Sequence, residues 1–401
     1  MNIHEYQAKK ILSRYGVFVP RGKIAYTPNE AKNAAVHVSM RGPWMLKAQI
    51  QSGAREKGYF MEETAGKGGG IRLVKRRREI LKEAEQMLGS TLKTIQTGPK
   101  GKTVGRIYVE VFTKVKKKFY AGLVIDRVSP SLTLLICELG EQDIMTVAIE
   151  NPAKILKLKL DLEKGARKTQ IEEVRRYLDL PERSFKYLKN LIDGMHSAFV
   201  DNDATMIEIN PAGVTRRGRI IALDAKMSFD DNALFRHPNI AILQDESESE
   251  EREIKAAKYG FKYSDFEDGS IGCIVNGDGI ALAAMDLIRE SGMDTACFLN
   301  VKGGVDKDKI AAGIKIIMTN PKVEGILINI LGGFLRCNLL AEGIVAAASE
   351  VGLNVPLVVR FEGTNKEEAY EILRNSKLPV IIAHDMEDSV DKLITAVKEC
   401  D

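Results

Sequence analysis

Asn210 and Asp224 stand fourteen positions apart and are the residues best suited to metal-assisted phosphate chemistry. Asn210 closes the run Met206-Ile-Glu208-Ile-Asn210, and Asp224 lies in Ile220-Ile-Ala-Leu-Asp224-Ala-Lys226. Both runs alternate, and Thr215-Arg-Arg-Gly218 between them is a turn signal, so the spacing predicts a β-hairpin whose strands end in oxygen ligands. Side chains on a strand repeat every second residue. Met206, Glu208 and Asn210 therefore share one face, and Ala222, Asp224 and Lys226 share one face of the return strand. A hard cation such as Mg²⁺ takes few protein oxygens plus substrate phosphates, which two carboxylates and a carboxamide supply. An ordinary polar hairpin face is the competing reading of this spacing.

Two glycine turns form a second candidate. Asn276-Gly-Asp-Gly279 and Leu331-Gly-Gly-Phe334-Leu335 each follow an apolar run and precede a helix-length segment. Amides freed by glycine at a helix N-terminus make an anion site, although simple β-to-α connections have the same appearance.

The elements that must position these groups fall into two styles. In the first half, residues 3–15 have apolar positions at helical spacing, and strands are expected near 44–50, 106–111 and 120–126. From 271 onward, apolar runs at 271–275, 297–301, 326–330, 355–361 and 380–383 alternate with helical stretches, the pattern of a doubly wound parallel sheet. Between the styles lies the acidic run Asp245-Glu-Ser-Glu-Ser-Glu-Glu-Arg-Glu253. The expected division is a domain over 1–244, an acidic surface helix or linker over 245–265, and a second domain over 266–401.

At 401 residues the chain exceeds one ordinary core. Hydrophobic content of 44% with 28% charged residues is ordinary for a globular protein. No apolar run of ~20 residues and no signal-like N-terminus occurs, so neither membrane insertion nor secretion is indicated and the cytoplasm is the default. The five cysteines form no C-x-x-C, which fits a reducing compartment and argues against zinc. The basic clusters Lys75-Arg-Arg-Arg78 and Lys114-Val-Lys-Lys-Lys118 lack interleaved aromatics, so nucleic acid is not an expected partner.

Glu208-Ile-Asn-Pro211 followed by Leu223-Asp-Ala-Lys-Met-Ser-Phe-Asp-Asp-Asn-Ala-Leu-Phe-Arg236 resembles the metal-binding stretch of the β-subunit family of ADP-forming succinate–CoA ligases, which are ATP-grasp proteins. The likeness begins at Met1-Asn-Ile-His-Glu-Tyr-Gln-Ala-Lys9, continues through Ile271-Gly-Cys-Ile-Val-Asn-Gly277 and Asn329-Ile-Leu-Gly-Gly333, and ends near Val355-Pro-Leu-Val-Val-Arg-Phe-Glu-Gly363. It implies an N-terminal ATP-grasp module followed by a flavodoxin-like doubly wound parallel-sheet domain. It implies Mg²⁺ at Asn210 and Asp224, and ATP at Lys47, Ala54, Arg55, Glu56, Glu110, Thr113 and Lys118. Glu208 is the implied catalytic residue, orienting a phosphohistidine carried by a partner α subunit, which also holds most of the CoA site. Asn276, Gly333, Phe334 and Leu335 are the implied contacts to the acyl substrate, a small dicarboxylate. None of His4, His37, His196, His237 and His384 sits in the Gly-His-Ala-Gly context that the family's α subunit uses. Pro20 resembles the ATP-preferring rather than the GTP-preferring members.

Several loops depart from the family. Its Gly-Gly-Arg-Gly-Lys loop is Gly53-Ala-Arg-Glu-Lys57 here, where a side chain at a position needing φ > 0 costs ~1–2 kcal/mol. Its Glu-Gly-Gly-x-Asp-Ile-Glu stretch is Leu139-Gly-Glu-Gln-Asp-Ile-Met145, its Asp-Val-Gly-Gly-Gly is Asn300-Val-Lys-Gly-Gly304, and an acid is replaced by Lys118. Three readings remain open at this point: a succinate–CoA ligase β subunit, the sister malate–CoA ligase β subunit, or a nucleotide- or CoA-binding paralogue without turnover.

Overall fold

The computed structural model describes residues 1–128, 130–301, 307–332 and 336–400. The chain divides into two compact units, Met1–Glu248 and Ser249–Asp401. The stretch 245–265 is shared between them: Glu246–Glu248 is a short 3-10 turn of the first unit, and the helix Glu251–Lys258 and the strand Lys262–Asp265 belong to the second.

Two main antiparallel sheets carry the first unit, beside a small three-stranded one formed by Tyr59–Phe60, Thr91–Lys93 and Lys102–Thr103. One runs in the order Gly22–Ala25, Ile107–Val111, Trp44–Ala48, Ile71–Val74. The helices Pro28–Val38 and Arg77–Met87 contribute Ala31, Ala34, Ile80 and Met87 to its core with Trp44 and Leu46. Thr27 starts the first of these helices by accepting from the Glu30 amide, with Pro28 at the first helical position.

The larger sheet runs Ile155–Leu160, Ser131–Cys137, Lys117–Asp126, Ala204–Val214, and the last of these also pairs with Ile220–Ala222 and Lys226–Phe229. Its core is closed by Glu5–Arg14, Lys168–Tyr177 and Phe185–Asp201, which bury Leu12, Ile171, Leu188, Ile192 and Met195. In Phe185–Asp201 these apolar positions recur at three and four, so one stripe faces the sheet.

The second unit is a mixed sheet in the order Lys262–Asp265, Thr295–Asn300, Ile271–Val275, Gly325–Leu331, Leu357–Glu362, Val380–Ile382. Only the first strand is antiparallel among these described pairings. Ile271–Val275 is buried along its whole length, as a strand covered on both faces must be. Ile274, Ile328 and Val359 enter one core, and Cys273, Leu327 and Val358 the other. Counted from Ile271–Val275, the parallel strands lie in the order 2-1-3-4-5, the flavodoxin-like winding, whose switch point falls between Ile271–Val275 and Gly325–Leu331.

Candidate active site

The hairpin expected around Asn210 and Asp224 forms, with two corrections. Asn210 does not close its strand: Ala204–Val214 runs on past it, with a register shift against Lys117–Asp126 between Ile209 and Ala212. The return strand is not continuous either. It breaks between Ile220–Ala222 and Lys226–Phe229, and Asp224 lies in the break. Glu208 pairs with Lys226 and Ala212 with Ala222 in one unbroken register, so Asn210 and Asp224 stand opposite each other across that gap. A backbone released from the ladder there lets the aspartate leave the sheet face and enter a cleft.

That cleft, of about 1210 Å³, lies within the first unit. Lys47, Ala54, Arg55, Glu56, Glu110, Thr113, Lys118, Glu208, Asn210 and Asp224 all line it, so the ten residues expected in this half of the chain are brought together. Lys47 is no exposed strand-end lysine. It is buried, and its ammonium donates to Glu5 at 2.8 Å and to the Leu223 carbonyl at 2.6 Å and pairs with Glu110 at 2.6 Å. Arg55 is buried too. Its Nη1 donates to the Ala48 carbonyl at 2.8 Å, and its Nη2 reaches Glu5 at 2.7 Å and both Asp224 oxygens at 2.9 and 2.8 Å.

Behind the cleft wall, Glu5 and Lys9 complete a set of six charges. Lys9 pairs with Glu5 at 2.7 Å and with Glu110 at 2.6 Å, and donates to the Leu223 carbonyl at 2.6 Å. Two ammoniums thus fix the peptide just before Asp224. Burial alone would discharge these groups, but opposite charges within hydrogen-bond distance reverse the balance. Burial pulls toward neutral Lys47, and Glu110, Glu5 and Asp224 outweigh it and raise its pKa. Burial likewise opposes ionised Glu5, and Lys47, Lys9 and Arg55 hold its carboxyl well below the usual range. Glu5 and Lys9 carried no expected role. Their one local signal is the i, i+4 acid–base spacing at the start of the helix Glu5–Arg14.

Glu208 differs from these acids. Its pKa is raised chiefly by burial and by Asp224 and Asp143 nearby, against the pull of Lys226. A half-buried carboxyl that holds a proton more tightly suits a proton-sharing contact with an imidazole. Asn210 presents its Oδ1 to the Glu141 amide at 2.7 Å, and its Nδ2 donates to the Gln142 carbonyl at 2.9 Å. The cleft's donor chemistry fits a cation: Asp224 already takes one, in the form of the Arg55 guanidinium.

Both glycine-poor loops carry the backbone that glycine would ordinarily adopt. Ala54 has φ 55° and Glu141 has φ 73°, whereas Glu56 is not in the left-handed region. The expectation of a positive φ in the loop is therefore met at 54 and not at 56. Gly53 is crowded only by the movable ends of two side chains. A Cβ there would lie 2.5 Å from Gln96 Oε1 and 2.6 Å from Lys226 Nζ. Lys118 pairs with Glu141, so two of the departures from the family pattern are partners.

In the second unit, Asn276 sits at the switch point and spans two strand ends. Its Oδ1 accepts from the Leu331 amide at 2.9 Å and its Nδ2 donates to the Leu331 carbonyl. Gly363 comes so close to Gly332 that a Cβ would lie 2.2 Å from the Gly332 carbonyl oxygen. Gly333, Phe334, Leu335 and Lys302 lie outside the described residues.

Comparison with known proteins now decides the family. Residues 2–214 match the ATP-grasp domain family and residues 274–394 the CoA-ligase family. A succinate–CoA ligase (ADP-forming) subunit beta of Rhodopseudomonas palustris (strain BisB18) is 46% identical over 400 residues, covering 100% of both chains. The corresponding protein of Rhodospirillum rubrum is 44% identical over 400 residues, again covering 100% of both. The chain belongs to the ADP-forming succinate–CoA ligase β-subunit family. Among solved structures, ATP citrate lyase from Methanothrix soehngenii, in complex with citrate and coenzyme A, has the same fold. It gives a TM-score of 0.70 at 15% identity over 99% of each chain. Membership in this ligase family accounts for the order of the two units, an ATP-grasp module ahead of a CoA-ligase module. No helix among the described residues is long and apolar enough to cross a membrane.

Proposed function

We propose that this chain is the β subunit of an acid–thiol ligase that converts succinate, CoA and ATP to succinyl-CoA, ADP and phosphate, in the cytoplasm and together with an α subunit. The observation that carries the reading is the cleft in which Lys47, Arg55, Glu208, Asn210 and Asp224 converge, in a chain of this family. Lys47 and Arg55 bring positive charge to the β- and γ-phosphates, and the amides of the 53–57 loop add directed donors. In phosphoryl transfer such positioning and charge stabilisation supply most of the rate. Asn210 and Asp224 would hold Mg²⁺, which would supply charge neutralisation at the phosphate oxygens. Glu110 and Glu5 hold Lys47 in place from behind. Thr113, with Glu110 beside it, lies on the side expected for the base and ribose, and Lys118 also lines the cleft.

Glu208 orients the α subunit's histidine, which accepts the phosphoryl group from ATP and passes it to the acid. The acyl group then leaves phosphate for the thiol of CoA. Asn276 and the turn at 333–335 shape the crevice that receives the acyl substrate. Malate is the second acid to be tested, because the Gly53-Ala-Arg55 loop resembles that of the malate–CoA ligase sister family, whereas Gly332-Gly333 resembles the succinate form.

Calorimetry of MgATP binding to Asp224→Ala tests the nucleotide site. Loss of the metal-dependent part of the affinity in a folded protein is expected. Unchanged MgATP affinity would overturn the assignment of the cleft.

A further inference from the structure

Arg55 meets Asp224 in a manner that a phosphate-loop arginine does not need. One nitrogen, Nη2, lies 2.9 and 2.8 Å from the two carboxylate oxygens, so the guanidinium sits where a cation bound by Asp224 would sit. The same nitrogen also reaches Glu5 at 2.7 Å, and Nη1 donates to the Ala48 carbonyl at 2.8 Å. Asp224 is the most exposed of these acids, with its side chain 20% accessible against 2% for Glu5. The six charges of the cluster are three acids (Glu5, Glu110, Asp224) and three bases (Lys9, Lys47, Arg55), so the cluster is neutral as it stands. A divalent ion at Asp224 would leave Arg55 with surplus charge beside the phosphates.

We propose that Arg55 is the resident counter-cation of Asp224, exchanged for the divalent metal as the nucleotide enters, and that Glu5 is the positioning residue that keeps the released guanidinium in the cleft. The proposal rests on the assignment of Asp224 as a metal ligand. Exchange makes the cluster self-neutralising in both states: Arg55 balances Asp224 when the cleft is empty and balances the triphosphate when the metal has taken the aspartate. Glu5 and the Ala48 carbonyl are contacts that Arg55 retains throughout, so the side chain need only loosen from Asp224 rather than leave the wall. Two cations competing for one carboxylate are linked reciprocally: bound metal weakens the Arg55–Asp224 pair by the same factor by which the pair weakens metal binding.

Mn²⁺ replaces Mg²⁺ as a spectroscopic probe, and its binding to the full-length chain is followed by electron paramagnetic resonance without and with ATP. Arg55→Gln is expected to bind Mn²⁺ alone more tightly than the parent by about tenfold or more, within the usual range of coupling between sites. The same variant should bind Mn²⁺–ATP more weakly, because the phosphates lose their cation. Glu5→Gln is expected to shift Mn²⁺ alone in the opposite direction, since Arg55 then leans wholly on Asp224. Asp224→Asn should abolish tight Mn²⁺ in every background. Should Glu5→Gln fail to fold, Arg55→Lys, which keeps the charge but not the planar fork, provides the intermediate case and should fall between parent and Arg55→Gln. Unchanged or weaker Mn²⁺ binding in Arg55→Gln, with Asp224→Asn still abolishing it, would refute the exchange while leaving the metal site standing. Asp224→Asn without effect would instead remove the metal assignment itself.

Discussion

Restoring glycine at positions 54 and 56 separates backbone strain from surface charge, because the two sites differ in conformation. Ala54 holds φ 55°, in the left-handed region where a Cβ costs ~1–2 kcal/mol, and Glu56 does not. Glycine gains freedom in the unfolded chain, which costs about 0.4–1 kcal/mol at either site. Ala54→Gly should therefore stabilise the first unit by between about zero and 1.5 kcal/mol, and Glu56→Gly should destabilise it by about 0.4–1 kcal/mol. The single tryptophan, Trp44, is 3% exposed in the sheet beside this loop and reports the unfolding of that unit alone. Urea midpoints at constant slope measure the two changes. Nucleotide affinity should follow the charge and not the strain. Glycine at 54 keeps the same backbone and changes the MgATP dissociation constant by less than about twofold. Removing the exposed carboxylate at 56 should tighten it by up to about fivefold at low salt, an effect that fades as salt screens it. Destabilisation by Ala54→Gly, or greater stabilisation by Glu56→Gly, would refute the strain argument.

Glu208→Gln should lose turnover yet gain stability near neutral pH. The folded carboxyl binds its proton more tightly than the unfolded one, so the parent loses stability as pH rises from the ordinary carboxyl range through the raised folded value. The stability gap in denaturant unfolding should close below that window, and a gap independent of pH would contradict the burial of this charge. Removing Lys118 and Glu141 singly and together should show a coupling below about 1 kcal/mol, because the pair is part exposed. Glu141→Gly should offset that loss by relieving its φ of 73°. An aromatic disulfide reagent should label one thiol in the native chain, Cys400, and five after unfolding. Cys137, Cys273, Cys297 and Cys337 are buried, and burial pushes the Cys273 and Cys297 thiols up to about 12 and about 11.

Much of the second unit is legible in the sequence because strands covered on both faces read as unbroken apolar runs. Ile271–Val275 is such a case, and its bounds follow from composition alone. The edge strand Lys262–Asp265 is not legible in the same way. An edge needs burial on fewer sides, so Lys262 and Asp265 are tolerated, and the segment passes for part of the acidic run. Ile155–Leu160 alternates from Leu156 onward yet is not among the strands expected from the sequence, because no chemistry draws attention to it. In the cleft, residue type and spacing single out Asn210 and Asp224, and resemblance adds Lys47 and Arg55. The contacts made by Glu5 are different in kind. It meets Lys47 and Arg55 from 42 and 50 residues away, and only the fold brings a helix N-terminus against those two side chains. The break at Asp224 is equally hidden, because the run from Ile220 to Phe229 carries no residue that forbids a strand and the Leu223 carbonyl is taken instead by Lys9 and Lys47, distant in sequence.

The most direct test is succinyl-CoA formation from succinate, CoA and MgATP by the purified chain, measured alone and after addition of a family α subunit bearing its histidine. The proposed division of labour predicts product only from the pair, with Asp224→Ala abolishing it and ADP released in step with succinyl-CoA. Turnover by this chain alone, or ATP-independent turnover by the pair, would contradict it.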